Sequence, residues 1–470
     1  MVAPAHFVDV IIVGAGLSGL RAATELHSAG LSYVVLEAED RVGGKTLSVP
    51  ASSNGTGLVD MGAAWINDSN QSEIFALAEE FDFDLIVQRA EGNSLFQDEE
   101  GKVTSIEYGL PGALTDEQLK EAQALMAKLS EYVDRSDLQN PHLGPDAKRL
   151  DSLTALEFAE EEFGTDLSKM LVTTLTRAIL GVDADELSAL YLIDYVKSGT
   201  GLGNISSDLK DGGQYLRNRQ GNQHFSTKLA EKLRKGSVKL STPVTRIAQS
   251  SKGCTVETRN GQRFYSKKVI VSVPTSLYPL IEFQPQLPRE KRELAKSTKL
   301  GYYSKTVLVF DSPWWREAGL SGVFTSPNGP IVFTRDTCVP EDEQYSITCF
   351  HVGEPGRKWS ALPAQERQDS VLKQFNAAFS GVVDHIPKPI SIVEKEWTKD
   401  HWFQGAPNPV MLPGTMTGAG KSIRTPFKNI HFIGTETAFV WKGYLEGAVR
   451  SGDRGAKEVI KALGKRTYSL

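Results

Sequence analysis

The chain has 470 residues, enough for two domains or for one domain divided by insertions, and its 40% hydrophobic and 23% charged content is that of a soluble globular protein. A net charge of −6 leaves no basic footprint for nucleic acid or an anionic membrane, and no apolar run is long enough for a spanning helix. Cys254, Cys338 and Cys349 are odd in number and lack metal-ligand spacing, which argues against a disulfide framework and for a reducing, cytoplasmic setting.

The first element expected is a strand over residues 8–13, so no signal peptide precedes it. It runs into Gly14-Ala15-Gly16-Leu17-Ser18-Gly19, and helical character follows over 20–26. Gly14 permits a tight turn and Gly16 lets backbone approach a pyrophosphate. Gly19 allows the helix to pack on the strand, with the helix N-terminus facing negative charge. A second strand over 33–36 ends in Glu37, placed to hold a ribose hydroxyl. The unit as a whole predicts a dinucleotide-binding fold, with nicotinamide and flavin both open.

Next comes Asp40-Arg41-Val42-Gly43-Gly44-Lys45-Thr46, either a phosphate-facing loop or a Gly-Gly turn with solvated charges. In the stretch 59–65, Gly62, Ala63 and Ala64 before Trp65 let a flat cofactor reach the backbone; a packed loop is the plainer alternative. Helical periodicity covers 72–83, and 99–102 reads as a turn. Thr115 and Gln118 form a capping box opening a helix over 115–133. Residues 136–149 read as a polar loop, and two or three helices follow between 152 and 198, including 167–180 and 187–197.

Residues 199–213 are glycine-rich and irregular, and 225–233 reads as a helix. Strands over 238–240 and 244–247, a hairpin about Asn260-Gly261 with strands 255–258 and 263–265, and a strand over 269–273 stopped by Pro274 read as a return to the first domain. Strands over 306–310, 331–333 and 345–350, then a helix over 365–379, form a second insertion spanning 295–397. The run Gly418-Ala419-Gly420-Lys421-Ser422 is no phosphate loop, because its glycine spacing is wrong and Pro426 spoils the helix that should follow. A strand over 430–433, the segment Gly434-Thr435-Glu436-Thr437 and a last helix to about 463 close the chain, where its two ends are expected to meet.

The eight histidines are scattered, and no Ser-His-Asp, Cys-His or metal set has recognisable context, so a cofactor is expected to carry the chemistry. A discontinuous cofactor domain with a C-terminal glycine-acid segment favours FAD, which is long enough to touch distant segments.

These stretches, with Pro243-Val244, Leu300-Gly301, Ser304-Lys305 and above all Trp441-Lys442-Gly443-Tyr444-Leu445-Glu446-Gly447-Ala448-Val449, resemble the flavin monoamine oxidase family from residue 8 to residue 465. The resemblance implies an α/β fold: a Rossmann-like FAD-binding domain of the glutathione-reductase type, discontinuous over 1–83, 219–294 and 398–470. An inserted α+β substrate domain would take 84–218 and 295–397. It implies that Glu37 binds the adenosine ribose, that Lys45 replaces a phosphate-side arginine and that Val244 meets adenine through its backbone. Gly14 to Gly19, Gly44, Gly62 to Trp65, Trp397, Ala406, Gly434, Thr435, Glu436 and Leu445 complete the implied cofactor set. Lys305 matches a lysine that holds a water at flavin N5, and Tyr444 matches one wall of an aromatic pair that guides the amine. Gln214, Phe333, Phe350 and Pro407 match substrate-cavity positions. Read from the residues alone, Lys305 is a surface lysine at a strand end and Tyr444 a core tyrosine where a helix begins.

Two positions depart from the family. Ala406 stands where membrane-bound animal members carry a flavin-bonding cysteine, so FAD is expected without a covalent link. Pro407 stands at the second aromatic wall, with Phe403 or Trp402 as candidate replacements. Soluble fungal amine oxidases, including enzymes that deaminate long-chain amines such as fumonisins, share these traits. The expected reaction converts a primary amine and O2 to an aldehyde or ketone, ammonia and hydrogen peroxide. An L-amino-acid oxidase, needing an arginine such as Arg177 or Arg217 on the substrate carboxylate, stays open as an alternative. So do a polyamine oxidase, needing acids along a tunnel, and a flavin-bearing binding protein. No nucleic acid, metal or membrane anchor is expected, and a homodimer is left open.

Overall fold

In the structure, a computed structural model that describes residues 6–53, 57–110 and 112–465, the apolar run Val10-Ile11-Ile12-Val13 lies in the central strand, His6–Val13, of a mixed sheet. The strand pairs in parallel with Tyr33–Leu36 on one side and Arg263–Val271 on the other, and both its faces are covered. That double burial explains an unbroken apolar run rather than an alternating one. Val10 and Ile12 pack with the helices Leu17–Ser28 and Leu445–Ala462, while Ile11 and Val13 join Ile247, Val256 and Phe432 on the opposite face. The first and last helices touch through Gly452, whose missing Cβ would lie 2.5 Å from the Ser18 carbonyl oxygen, and Arg21 and Asp453 bond across the contact at 2.6 Å.

One strand does more than its sequence suggests. Residues 263–265 and 269–273, expected as separate strands, form the single strand Arg263–Val271. Its first half pairs antiparallel with Gly253–Thr258, and its second half pairs in parallel with Ile430–Phe432. The C-terminal strand therefore enters the same sheet as the first.

A second sheet runs in the order Ser391–Glu396, Tyr303–Phe310, Tyr345–Val352, Phe333–Asp336, Leu320–Thr325, Asn93–Gln97, Val103–Ile106, with helix Ala364–Phe379 packed on it. Asn93–Gln97 pairs in parallel with Leu320–Thr325, so two segments far apart in sequence share one sheet. The helices Asp116–Arg135, Ala155–Glu162, Asp166–Leu180 and Ala189–Ser198 form a separate apolar cluster, and the Thr115–Gln118 capping box is present.

Several expectations need correction. The expected loop over 136–149 contains a 3-10 turn, Pro141–Leu143, and the start of helix Ala147–Ser152. The strand expected over 331–333 is Phe333–Asp336, because Ile331 and Val332 sit in the turn leading to it. The short strands Leu85–Val87, Asn93–Gln97 and Val103–Ile106 and the helix Arg289–Lys296 were not anticipated. Pro409–Met411 pairs with Thr298–Leu300, and the Met411 carbonyl accepts from Ser188 N–H at 2.9 Å, so this stretch sits against the helical cluster rather than the first sheet. As expected, Ala419–Ser422 is a 3-10 turn with no helix after it. The C-terminal residues 466–470, whose last three do not match the Ser-Lys-Leu peroxisomal address, lie outside the described residues.

The second sheet also contains a buried pH-sensitive group. His351 is 0% exposed, stacks on Trp359 with centroids 3.9 Å apart, and faces the Pro330 carbonyl oxygen through Nδ1 at 2.7 Å. That oxygen only accepts, so Nδ1 carries the proton, and Nε2 meets the Thr306 hydroxyl at 2.9 Å. Burial pulls its pKa from 6.5 to about 4. As pH falls below about 6.5 the unfolded chain takes up this proton first, so stability drops until about pH 4 and then stays lower. Unfolding in denaturant at pH 7 and pH 5 should show a loss of about 2 kcal/mol from this group, and the loss should vanish in His351→Gln. Identical pH dependence in both proteins would refute the assignment.

Candidate active site

A cavity of about 530 Å³ runs from the glycine loop of the first sheet into the space between the second sheet and the helical cluster. Every cofactor, substrate and catalytic position named from sequence lines it except Ala15 and Gly19. These two act from behind: Ala15 N–H donates to Glu37 Oε2 at 2.6 Å, and Gly19 closes the turn, where a Cβ would lie 2.1 Å from the Gly14 carbonyl oxygen.

At the glycine end the three glycines have distinct physical roles. Gly14 has φ +101°, a conformation that only glycine adopts cheaply. Gly16 has ordinary dihedrals, and a Cβ added there would meet nothing nearer than the Gly44 Cα at 4.0 Å. The protein leaves that space open on its own account, at the N-terminus of helix Leu17–Ser28. A cradle that a side chain would fill, a helix N-terminus, a buried acid at the end of the second strand and a cation fit a dinucleotide.

Glu37 is 8% exposed and accepts from Ala15 N–H and, through Oε1 at 2.9 Å, from Glu39 N–H; burial pushes its pKa up. Lys45 extends along the cavity wall and donates to the Pro407 carbonyl at 3.1 Å, and burial draws its pKa to about 8 against the pull of Glu436. Glu436 Oε1 accepts from Thr275 N–H at 2.9 Å and from its hydroxyl at 3.1 Å. Val244 and Trp397 line the same cavity, the Trp397 ring standing edge-on to Phe403 and donating to the Met61 carbonyl at 2.9 Å.

Lys305 is 3% exposed, not the surface lysine its strand-end position suggests. Its Nζ donates to the carbonyls of Gly62 at 2.6 Å and Asp60 at 3.0 Å, and it lies over the rings of Phe350 and Trp65. Two of the three ammonium protons are thus engaged, and the cavity is open to the third. Burial lowers the Lys305 pKa to about 8, opposed by Asp60. Asp60, which sequence reasoning passed over, is half-buried and bonds Ser48 Oγ at 2.5 Å and Asn222 N–H at 3.0 Å. It thereby holds in place the loop whose carbonyls seat the lysine.

Tyr444 caps the last helix, its ring held between Trp441 at 4.8 Å and Tyr195 at 6.2 Å. The Lys442–Asp194 ion pair, buried beneath, ties that segment to helix Ala189–Ser198. Gln214 and Tyr195 reach the Tyr444 hydroxyl. The position of the second wall is Pro407, and the candidate replacements Phe403 and Trp402 line the same cavity while packing on other side chains. Phe403 packs on Trp397 beneath Arg41, and Trp402 lies under Arg259 at 4.7 Å. The rings packed on Tyr444 are Trp441 and Tyr195, and Tyr195 and Tyr303, neither named from sequence, line the cavity with it. Phe333 and Phe350 stack at 4.3 Å on the opposite wall.

Both arginines considered for a substrate carboxylate are committed to structure. Arg177 forms two bonds to Asp183, at 2.8 and 2.6 Å, and Arg217 donates to the carbonyls of Thr337 and Cys338. Neither lines the cavity, whereas Arg335 does. Among the described residues no group of three or more His, Cys, Asp or Glu could hold a metal, and no helix is long and apolar enough to cross a membrane.

The family model for flavin containing amine oxidoreductase matches residues 17–460. The chain is 29% identical over 458 residues to a probable flavin-containing monoamine oxidase A of Dictyostelium discoideum, covering 97% of this chain and 98% of that protein. It is 30% identical over 461 residues to flavin-containing amine oxidase B of Homo sapiens, covering 97% and 87%. Its fold is similar to that of a putrescine oxidase bound to putrescine, with TM-score 0.90, 27% identity and coverage of 97% and 100%. On this match across most of its length, the chain belongs to the flavin-containing amine oxidase family and is an FAD-dependent amine oxidase.

Proposed function

We propose that the protein oxidatively deaminates primary amines to an aldehyde or ketone, with release of ammonia and hydrogen peroxide, and that long-chain amines, fumonisins among them, are its substrates. When bound, FAD supplies the acceptor for the hydride equivalent and passes the electrons to O2. The observation that carries this reading is the continuity of one cavity. It joins the glycine cradle to a pocket walled by Tyr444, Tyr195 and Tyr303 and extended by Leu175, Ala178, Ile179 and Phe333.

The side chains divide the work. The aromatic rings and apolar wall hold an alkyl chain and exclude water. Among the described residues the lining carboxylates are Glu37 and Glu436, both engaged with backbone N–H groups at the cofactor end. A protonated amine beside Lys305 meets a like charge with no acid to pair with, so the neutral amine is the species that binds. Lys305 keeps one proton for a water in the cavity. Its role at N5, and those of the cofactor contacts named from sequence, are part of this proposal. So are a cofactor unit of the glutathione-reductase type and a cytoplasmic setting. The cofactor is held without a covalent bond: Ala406 lines the cavity and none of the three buried cysteines does.

An anaerobic screen of the yellow protein against short, aromatic, long-chain and poly-amines tests the reading. Long-chain amines should bleach it fastest, air should restore the colour with peroxide release, and acid precipitation should free all the flavin. A protein that no amine bleaches is a flavin carrier instead. The likeness to putrescine oxidase favours a second reading, a diamine substrate. Against it, among the described residues the cavity wall beyond Tyr444 carries a guanidinium and no carboxylate to receive a second ammonium.

A further inference from the structure

Beyond Tyr444 the cavity is walled mainly by apolar side chains from helix Asp166–Leu180 and by Phe333, and among the described residues one fixed charge enters it, Arg335. Strand alternation puts it there: Thr334 and Asp336, 0% and 1% exposed, face the core, so Phe333 and Arg335 face the cavity. Asp336 in the core is already bound by Arg316, at 2.7 and 2.8 Å, so the fold does not need Arg335 to neutralise it.

The guanidinium lies 5.4 Å from the Phe333 centroid, with Nε at 3.1 Å from Asp208 and Nη1 donating to the Thr334 carbonyl at 2.9 Å. Asp208 also accepts the Tyr108 hydroxyl at 2.5 Å, so its charge is shared. Nη2 has no protein partner among the described residues. A guanidinium offers five N–H donors in a fork that matches a carboxylate, and most of this fork is uncommitted.

We propose that Arg335 determines the substrate class, selecting a primary amine whose far end carries a carboxylate and rejecting one with a second ammonium. This rests on the amine-oxidase reading above. Distance settles which amino acids qualify. From Lys305 the wall runs through Phe350 at 5.1 Å and its stacked partner Phe333 at 4.3 Å before reaching Arg335. A carboxylate on the amine-bearing carbon stays at the Lys305 end, whereas one several methylenes away reaches the guanidinium. The selected substrate is an ω-amino acid or a longer acidic amine, not an α-amino acid.

The test compares kcat/KM for hexylamine, ω-aminohexanoate and hexamethylenediamine, and for the matching dodecyl series, which share one amine end. The acid should be preferred to the plain amine and the diamine should be poorest. Arg335→Met should cut the acid-to-amine ratio about tenfold or more, through KM rather than kcat, as befits loss of a charge-assisted pair. Arg335→Lys should restore part of the ratio, and Asp208→Asn, which releases the guanidinium, should raise it. A wild type that prefers the diamine, or an unchanged ratio in Arg335→Met, overturns the role of Arg335. A protein that oxidises none of these amines overturns the oxidase reading instead.

Discussion

In Lys305→Met, the reduced protein should react with O2 about a hundredfold more slowly, while anaerobic bleaching by amine stays within a few-fold of wild type. The lysine is a buried cation seated by two backbone carbonyls, with one proton free for a water. A preorganised donor in a dry site is worth about two to three orders of magnitude to a step that develops negative charge, as electron transfer to O2 does. Methionine keeps the volume and removes the charge. Asp60 retains Ser48 and Asn222, so the loop it anchors stays in place. The pH dependence follows from a pKa near 8: the group is a cation below that value and neutral above it. Wild-type reaction with O2 should therefore decline as pH rises through about 8, and the methionine variant should be flat. Stopped-flow mixing of the reduced protein with oxygenated buffer decides it; equal rates in the two proteins remove the role.

The second large effect separates two glycines of one motif. Gly16→Val should fold and be colourless, with affinity for FAD reduced about a thousandfold or more, because a Cβ there meets no described protein atom nearer than 4.0 Å and takes the space of the pyrophosphate. Gly19→Val should fail earlier. Its Cβ would lie 2.1 Å from the Gly14 carbonyl and 3.4 Å from Ile12, an overpacking inside the protein costing about 3 kcal/mol or more. Circular dichroism and flavin absorbance together distinguish the cases. A yellow Gly16→Val protein would show that backbone approach at this position is not needed for binding.

The motif was legible because its signals are local: the glycines, the apolar strand and the acid are spaced by the geometry of one strand-helix-strand unit. The same holds for the Thr115–Gln118 capping box and the Asn260-Gly261 hairpin. Asn93–Gln97 escaped notice because it is short and largely polar, and of its two partners only Val103–Ile106 is near in sequence, Leu320–Thr325 being far away. Helix Arg289–Lys296 is nearly all charged, so Leu294 and Ala295 give no readable stripe, and Lys291 turns inward to lie over Phe432. Arg335 and Asp60 were missed for a related reason. Which face of a strand meets a cavity is decided by the partners that cover the other face, and those arrive from elsewhere in the chain.

The shared sheet sets an order of events during synthesis. The first strand leaves the ribosome long before Arg263–Val271 can pair with it, and the glycine loop waits longer still for Gly434–Leu445 to close the cavity. A nascent chain halted before Ile430 holds the cradle but lacks the strand and helix that wall it in. A complete wall around the cofactor therefore exists only at the end of translation, and until then the apolar faces of the central strand lack part of their cover and are prone to aggregation.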